Sequence, residues 1–450
     1  MATLDSSIVN VALPTLNKEF GPNLSHVKWV VMVYLLVITC VLLPCGRLSD
    51  EKGRKLVFQI GFFIFVLGSV LCGIAPELSW LILFRVVQGV GAAMLMANGP
   101  SLITSAFPVR ERGAALGILA MVVSTGLVTG PSIGGFLISK MGWRSIFWVN
   151  LPVGVLGVSL VHYFVNDEKS NKKAGPFDWA GAFLQTAIVV LFMLLFDSPL
   201  QLSFSGWMVF IAWIGLVYGF LKVESRAKAP LFDLSLLKNQ TFWTANLAGF
   251  LTFVAFQSVA VLMPFFLEEV CHFSPHKAGF FMTVIPLTIF VIAPMSGRAS
   301  DRLGSQGLSF TGAFLAGIGF FSMAGLFGKG LYAQTSETSI VFGLCVMGLA
   351  LGLFQSPNNN AIMGSVPIDK LGVASAMLAT TRNLGLMAGT GLATSLFSWR
   401  MTETHSFVDS FHLSLFVAGV AAVGAMLASL GKRRSGRRLS RQKVSRHVEG

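Results

Sequence analysis

Charge is scarce in this sequence: Asp, Glu, Lys and Arg make up 12% of its 450 residues, where soluble domains carry roughly 25%. That shortage leaves too little polar surface for a solvated globular protein. Cysteine is also sparse, and Cys40, Cys45, Cys72, Cys271 and Cys345 are scattered without the spacing of a disulfide framework or a metal site. Nothing resembles a catalytic triad, a zinc-ligand set or a P-loop. The glycine pairs in "GVGAA" and "GTGLAT" follow no strand and suit helix packing, not dinucleotide binding. His162 and His272 read as interfacial. No polar stretch is long enough for a large soluble domain, so a membrane enzyme or a receptor lacks its working part. No cofactor and no metal are expected.

Hydrophobic residues, by contrast, make up 54% of the chain, with 47 glycines and a mean hydropathy of +0.72. Apolar runs of about 20 residues, the length a helix needs to cross ~30 Å of hydrocarbon, follow one another almost end to end. Small residues let such helices pack closely in lipid. The chain therefore reads as an all-α polytopic membrane protein. Its formal charge of +13 is concentrated in the tail "KRRSGRRLSRQKVSRH" at 432–447. Directly after an apolar helix, such a tail suits anionic membrane lipid and not nucleic acid. No cleavable signal peptide is read, and the first helix is expected to act as the insertion signal.

Fourteen runs can be drawn, near 1–16, 28–47, 56–75, 80–105, 113–138, 145–165, 179–196, 207–223, 242–267, 278–297, 308–328, 339–362, 372–398 and 409–430. Basic residues follow every even-numbered run: Lys52, Arg54 and Lys55, then Arg110 and Arg112, then Lys169, Lys172 and Lys173. Lys222, Arg226, Lys228 and Lys238 follow, then Arg302, Lys370 and the basic tail. By the positive-inside rule those loops and both termini are cytoplasmic. Lys18, Lys28 and Lys140 are exceptions on the opposite side.

An internal repeat is visible. "GRLSDEKGRK" at 46–55 leaves the second run and "GRASDRLG" at 297–304 leaves the tenth, an offset of 251 residues. Two related halves follow. Because the second copy comes after run ten and not run eight, two helices have been inserted between the halves. The expected division is a six-helix bundle at 1–165, cytoplasmic linkers with two extra helices at 166–241, a second six-helix bundle at 242–430, and a basic cytoplasmic tail at 431–450.

These residues resemble the 14-helix drug:proton antiporter branch of the major facilitator superfamily, the multidrug efflux type. The resemblance rests on "LDSSIVNVALP", "GRLSDEKGRK", "RVVQGVGAA" (85–93), "GLVTGPSIGG" (126–135) and "WRSIFWVNLPVG" (143–154), in order and on the matching runs. It continues through "GRASDRLG" and "RNLGLMAGTG" (382–391) and covers nearly the whole chain. In that family the acid of the first motif lies well inside helix 1, whereas here only Met1 to Leu4 precede Asp5. Sixteen residues at 1.5 Å each reach only ~24 Å, so the first helix is expected to be N-terminally truncated.

The resemblance implies roles for particular residues. Asp5 and Arg85 would couple transport to protons, since charges at membrane depth are costly and usually face a cavity. Gln88 shares a helix face with Arg85; with Asn358 and Arg382 it is a substrate-cavity candidate. Gly46, Asp50, Gly53 and Arg54 would form a cytoplasmic gate, with Asp301 and Arg302 as the second-half counterpart. Gly126, Gly130, Pro131, Gly134 and Gly135 would form an antiporter-type helix. The implied activity is proton-coupled export of amphiphilic organic compounds by alternating access. The alternative is a proton-coupled transporter of a specific metabolite, including an importer. Small organic substrates, protons and membrane lipid are the expected partners; accessory efflux partners are not specified. The implied location is a bacterial inner membrane. Runs ten and thirteen carry no acid, which disfavours a strongly cationic substrate.

Overall fold

Asp5, four residues from the start of the chain, already lies in a helix, and each of the fourteen apolar runs falls largely on helical segments. The structure, a computed structural model, describes all residues except 22–23, 107–111, 165–178, 198–203, 226–235, 237, 326–336, 367–370 and 432–450. Among the described residues no strand occurs. In chain order the helices are α1 (Ala2–Phe20), α2 (Leu24–Val27), α3 (Trp29–Lys52), α4 (Arg54–Gly73), α5 (Leu78–Ala106), α6 (Arg112–Met141), α7 (Ser145–Trp148) and α8 (Asn150–Phe164). The inserted pair is α9 (Trp179–Asp197) and α10 (Phe204–Glu224). Then come α11 (Gln240–Phe265), continued by a π-turn at Phe266–Val270, α12 (Pro275–Met282), α13 (Val284–Leu303), α14 (Ser305–Met323), α15 (Glu337–Gly364), α16 (Leu371–Thr404) and α17 (Phe407–Leu430).

Nine helical stretches among the described residues are long and apolar enough to cross a membrane. α1 is not among them, because Asp5, Lys18 and Glu19 interrupt it, although it runs four residues beyond the apolar stretch. The sixth and tenth runs are each broken, into α7 and α8 and into α12 and α13.

Packing divides the chain into two compact units. The first comprises Met1–Phe232, Gln257–Pro286 and Leu386–Ser414; the second comprises Asp233–Phe256, Leu287–Gly385 and Leu415–Gly450.

In the first unit α4 and α5 meet backbone to backbone. A methyl group at Gly68 would stand 2.6 Å from the Gln88 backbone, and one at Gly61 2.7 Å from Met94 Cβ. Apolar side chains gain nothing by leaving lipid for one another, so close backbone approach supplies the dispersion energy that holds these helices. A cluster of Tyr34, Ile38, Phe65, Ala92 and Leu95 fills the angle between α3, α4 and α5. The inserted α9 packs on α3, where Gln185 Nε2 donates to the Thr39 carbonyl at 3.4 Å. In the second unit Ala248, Ala313, Phe354 and Ala425 form the corresponding core.

The repeat is built into the backbone as well as the sequence. Gly53 ends α3 with φ 100° and Gly304 ends α13 with φ 88°, again 251 residues apart. Each turn closes the same way: Gly53 N–H donates to Ser49 O at 3.1 Å, and Gly304 N–H to Ser300 O at 2.9 Å. The hydroxyls of Ser49 and Ser300 donate to the carbonyls of Gly46 and Gly297 at 2.6 and 2.7 Å. A positive φ at the end of a helix suits glycine, which has no Cβ to clash there.

Candidate functional site: a buried ion pair on five helices

The first turn of α1 carries a carboxylate that is 1% exposed. Asp5 Oδ2 receives Nη1 of Arg85 on α5 at 2.6 Å. Its Oδ1 receives Gln88 Nε2 at 2.8 Å and Asn150 Nδ2, from the start of α8, at 3.0 Å. Arg85 and Gln88 are three residues apart on α5 and so share a face, and Arg85 Nη1 also donates to Gln88 Oε1 at 2.6 Å. Gln88 Nε2 reaches Ser69 Oγ on α4 at 2.8 Å. The remaining side of the guanidinium is closed by α3: Nε donates to the Val30 carbonyl at 3.0 Å, and Cζ lies 3.9 Å from the centre of the Tyr34 ring.

This arrangement solves an energetic problem. A charge in a low-dielectric interior is tolerated only when it is paired and its remaining hydrogen-bonding capacity is met. Here one negative and one positive charge cancel, and the amides of Gln88 and Asn150 complete the carboxylate. The site therefore stores a charge pair that a proton on Asp5 would unbalance.

α1 is held in place from its other side by α6. Methyl groups at Gly126, Gly130 and Gly134 would stand 3.4 Å from Thr3 Oγ1, 2.7 Å from Ser7 Cβ and 3.0 Å from Ile8 Cγ2. The glycine ridge thus contacts the 3-4-7-8 face of α1, whereas Asp5 lies on another. Further along α6, the Pro131 carbonyl and Gly135 abut Gly279 of α12, and Ser132 Oγ lies 2.6 Å from Thr283 Oγ1.

The other expected site residues lie apart from this pair. Asn358 is buried in α15 and donates to the Ala245 carbonyl at 3.1 Å. That bond fastens α15 to α11 within the second unit. Arg382 is part-buried in α16, also in the second unit. Gly46, Gly53 and Arg54 lie at the α3–α4 turn. The side chains of Asp50, Asp301 and Arg302 lie outside the described residues.

Sequence reasoning missed three members of the cluster, Asn150, Ser69 and Tyr34. Asn150 stood inside a quoted motif, "WVNLPVG", and a polar amide opening an apolar run is the signal that could have singled it out. It also missed the opposite end of the first unit. There Lys18 Nζ lies 3.4 Å from Glu268 Oε2, Lys28 Nζ donates to Ser395 Oγ at 3.4 Å, and Ser25 Oγ to Ser398 Oγ at 3.2 Å. These partners are 250 to 373 residues apart in sequence, which no local pattern reveals.

A profile described as "Major Facilitator Superfamily" matches residues 1–390. The chain belongs to the Major Facilitator Superfamily. It is thus an integral membrane transporter of small molecules and not an enzyme. Among its relatives in this superfamily, Riboflavin transporter RibZ of Clostridioides difficile (strain 630) is 35% identical, over 98% of this chain and 96% of the relative. Multidrug resistance protein Stp of Mycobacterium tuberculosis (strain ATCC 25618 / H37Rv) is 31% identical, over 90% of this chain and 75% of the relative. Among solved structures, a bacterial homolog to human lysosomal transporter Spinster superposes with a TM-score of 0.70 at 16% identity, covering 97% of this chain and 96% of that one. This last likeness concerns the fold alone. The expected all-helical major facilitator fold is confirmed.

Proposed function

We propose that the chain exports amphiphilic organic compounds in exchange for protons by alternating access. The observation that carries this reading is the Asp5–Arg85 pair, buried, stoichiometric in charge and spread over α1, α3, α4, α5 and α8. In this reading Asp5 binds a proton when its cavity faces outward, loosens its hold on Arg85, and gives the proton up on the cytoplasmic side as substrate enters. Gln88 shares both partners and passes the change of charge to α4 through Ser69. The bundles at 1–165 and 242–430 rock about the midplane, the pair between them being an addition to the first bundle. Both termini are cytoplasmic, in a bacterial inner membrane. The turn carrying Gly46, Asp50, Gly53 and Arg54 acts as the cytoplasmic gate, with Asp301 and Arg302 as its second-half counterpart. The relatives named as multidrug resistance proteins support the substrate class.

A second reading, transport of a specific metabolite in either direction, is favoured by the relative named a riboflavin transporter, which matches nearly end to end. Purified protein in proteoliposomes separates the two. Under an imposed proton gradient, an exporter of broad range moves several unrelated amphiphiles, whereas a metabolite carrier moves riboflavin-like compounds and ignores the rest. Absence of proton flux accompanying any substrate would overturn the coupling.

A further inference from the structure

Arg382 lies eleven residues after the first residue of α16, or ~16 Å along the helix axis at 1.5 Å per residue. More than twenty further residues of α16 follow it. On the fourteen-run reading of the sequence, in which α16 crosses the ~30 Å hydrocarbon core, it stands well away from either helix end. A guanidinium there is costly unless something offsets its charge.

Nothing among the described residues does so. Arg85 has Asp5, Lys18 has Glu268, and Arg400 has Glu403 at 3.3 Å. Arg382 has no ion pair and no hydrogen bond among the described residues. The next residue, Asn383, is 2% exposed, and its Nδ2 is likewise without an acceptor. By contrast Thr381, on the preceding position, is satisfied by Asn246 Oδ1 at 3.3 Å. Two consecutive positions of α16 thus present hydrogen-bond donors that lack acceptors among the described residues. An unpaired buried donor such as Asn383 Nδ2 is destabilising; Asn383 needs an acceptor and the part-buried guanidinium of Arg382 a negative charge, and an anionic group supplies both.

We infer that Arg382 and Asn383 form an anion-recognising subsite and that the transported compounds carry a carboxylate, sulfonate or phosphate group. This rests on the transporter reading above and narrows its substrate class. The guanidinium offers a planar fork that pairs bidentately with such groups. The acids of α15, α16 and α17 fit this assignment, because Glu337, Glu403 and Asp409 all lie at helix ends, away from Arg382 in the body of α16. One proton entering for one monoanion leaving carries two positive equivalents inward, so an inside-negative potential would drive the cycle.

The test uses purified full-length protein and three naphthyl amphiphiles that differ only in head group: carboxylate, primary amide or quaternary ammonium. Ligand-induced shifts in thermal unfolding report binding without requiring transport. The carboxylate compound is expected to stabilise the wild type at a concentration at least tenfold below that of the amide, with no effect of the ammonium. Arg382→Gln should abolish that preference and Arg382→Lys should keep part of it. Asp5→Asn should retain the preference while losing proton-driven export, so failure of the antiport reading would be distinct from failure of this one. A wild type that is indifferent to the head group, through equal binding or none, overturns the subsite. So does a folded Arg382→Gln protein that still prefers the carboxylate.

Discussion

Asp5 Oδ2 and Arg85 Nη1 are 2.6 Å apart, with both side chains shut away from solvent. The two residues depend on each other unequally. Arg85 keeps the Val30 carbonyl, Gln88 and the Tyr34 ring if Asp5 is neutralised, whereas Arg85 is the one cationic side chain among those that hydrogen-bond the Asp5 carboxylate.

Arg85→Ala should therefore be the more damaging substitution, since breaking a buried pair from one side costs about 3–5 kcal/mol. Asp5→Asn should insert and fold with a smaller drop in melting temperature, yet reduce uphill transport to background. Replacing both, as Asp5→Asn with Arg85→Gln, should recover part of the stability lost in Arg85→Ala. Thermal unfolding of the detergent-solubilised variants, set beside transport in inverted vesicles, checks all three. Full uphill transport by Asp5→Asn would remove it from the coupling path.

The glycine ridge of α6 makes a sharper structural prediction. Gly130→Val places its first side-chain atom 2.7 Å from Ser7, and overpacking of this kind costs about 1–3 kcal/mol. Because α1 must shift to relieve it, transport should fall by tenfold or more, beyond what stability alone explains. Gly126→Ala, whose nearest neighbour would be 3.4 Å away, should be nearly silent. Equal effects at the two positions would argue against a fitted contact with α1.

Ser25 and Ser398 have their hydroxyl oxygens 3.2 Å apart, close enough for a disulfide when both become cysteine. In a background without the five natural cysteines, oxidation of Ser25→Cys with Ser398→Cys should stop transport, and dithiothreitol should restore it. Continued turnover with the cross-link formed would mean that this end need not open.

At the turns, Gly53→Ala should cost about 1–2 kcal/mol, because a side chain is strained at a φ of 100°. Gly304→Ala should cost a similar amount. Asp50→Asn is expected to leave stability unchanged and to lower turnover sharply. A melting curve that separates the glycine variants from the aspartate variant distinguishes backbone strain from loss of the charge proposed to act in the gate.

Hydropathy made the helical class and the fourteen runs legible, because an apolar helix must satisfy its own backbone in lipid wherever it lies. The two Gly-Arg-x-Ser-Asp copies made the repeat legible, because a glycine turn after a helix is a local requirement. Arg85 and Gln88 could be placed on one face from their spacing alone. That Asn150, Ser69 and Tyr34 complete the same cluster could not be read, since they come from three other helices whose rotation is set by packing. Asn358 shows the same limit: as a polar residue in an apolar run it is a cavity candidate by sequence, and only the tertiary structure shows that its amide donates to the Ala245 carbonyl. Glu268 stands just past the ninth apolar run, and only the fold brought Lys18 to it across 250 residues. Composition and short-range spacing thus determined the class, the spans and the repeat, which depend on transfer from water to lipid and on local backbone geometry. The partners of each buried polar group were decided by tertiary structure alone, because hydrogen bonds and ion pairs are directional and short, and helix rotations of tens of degrees exchange one partner for another.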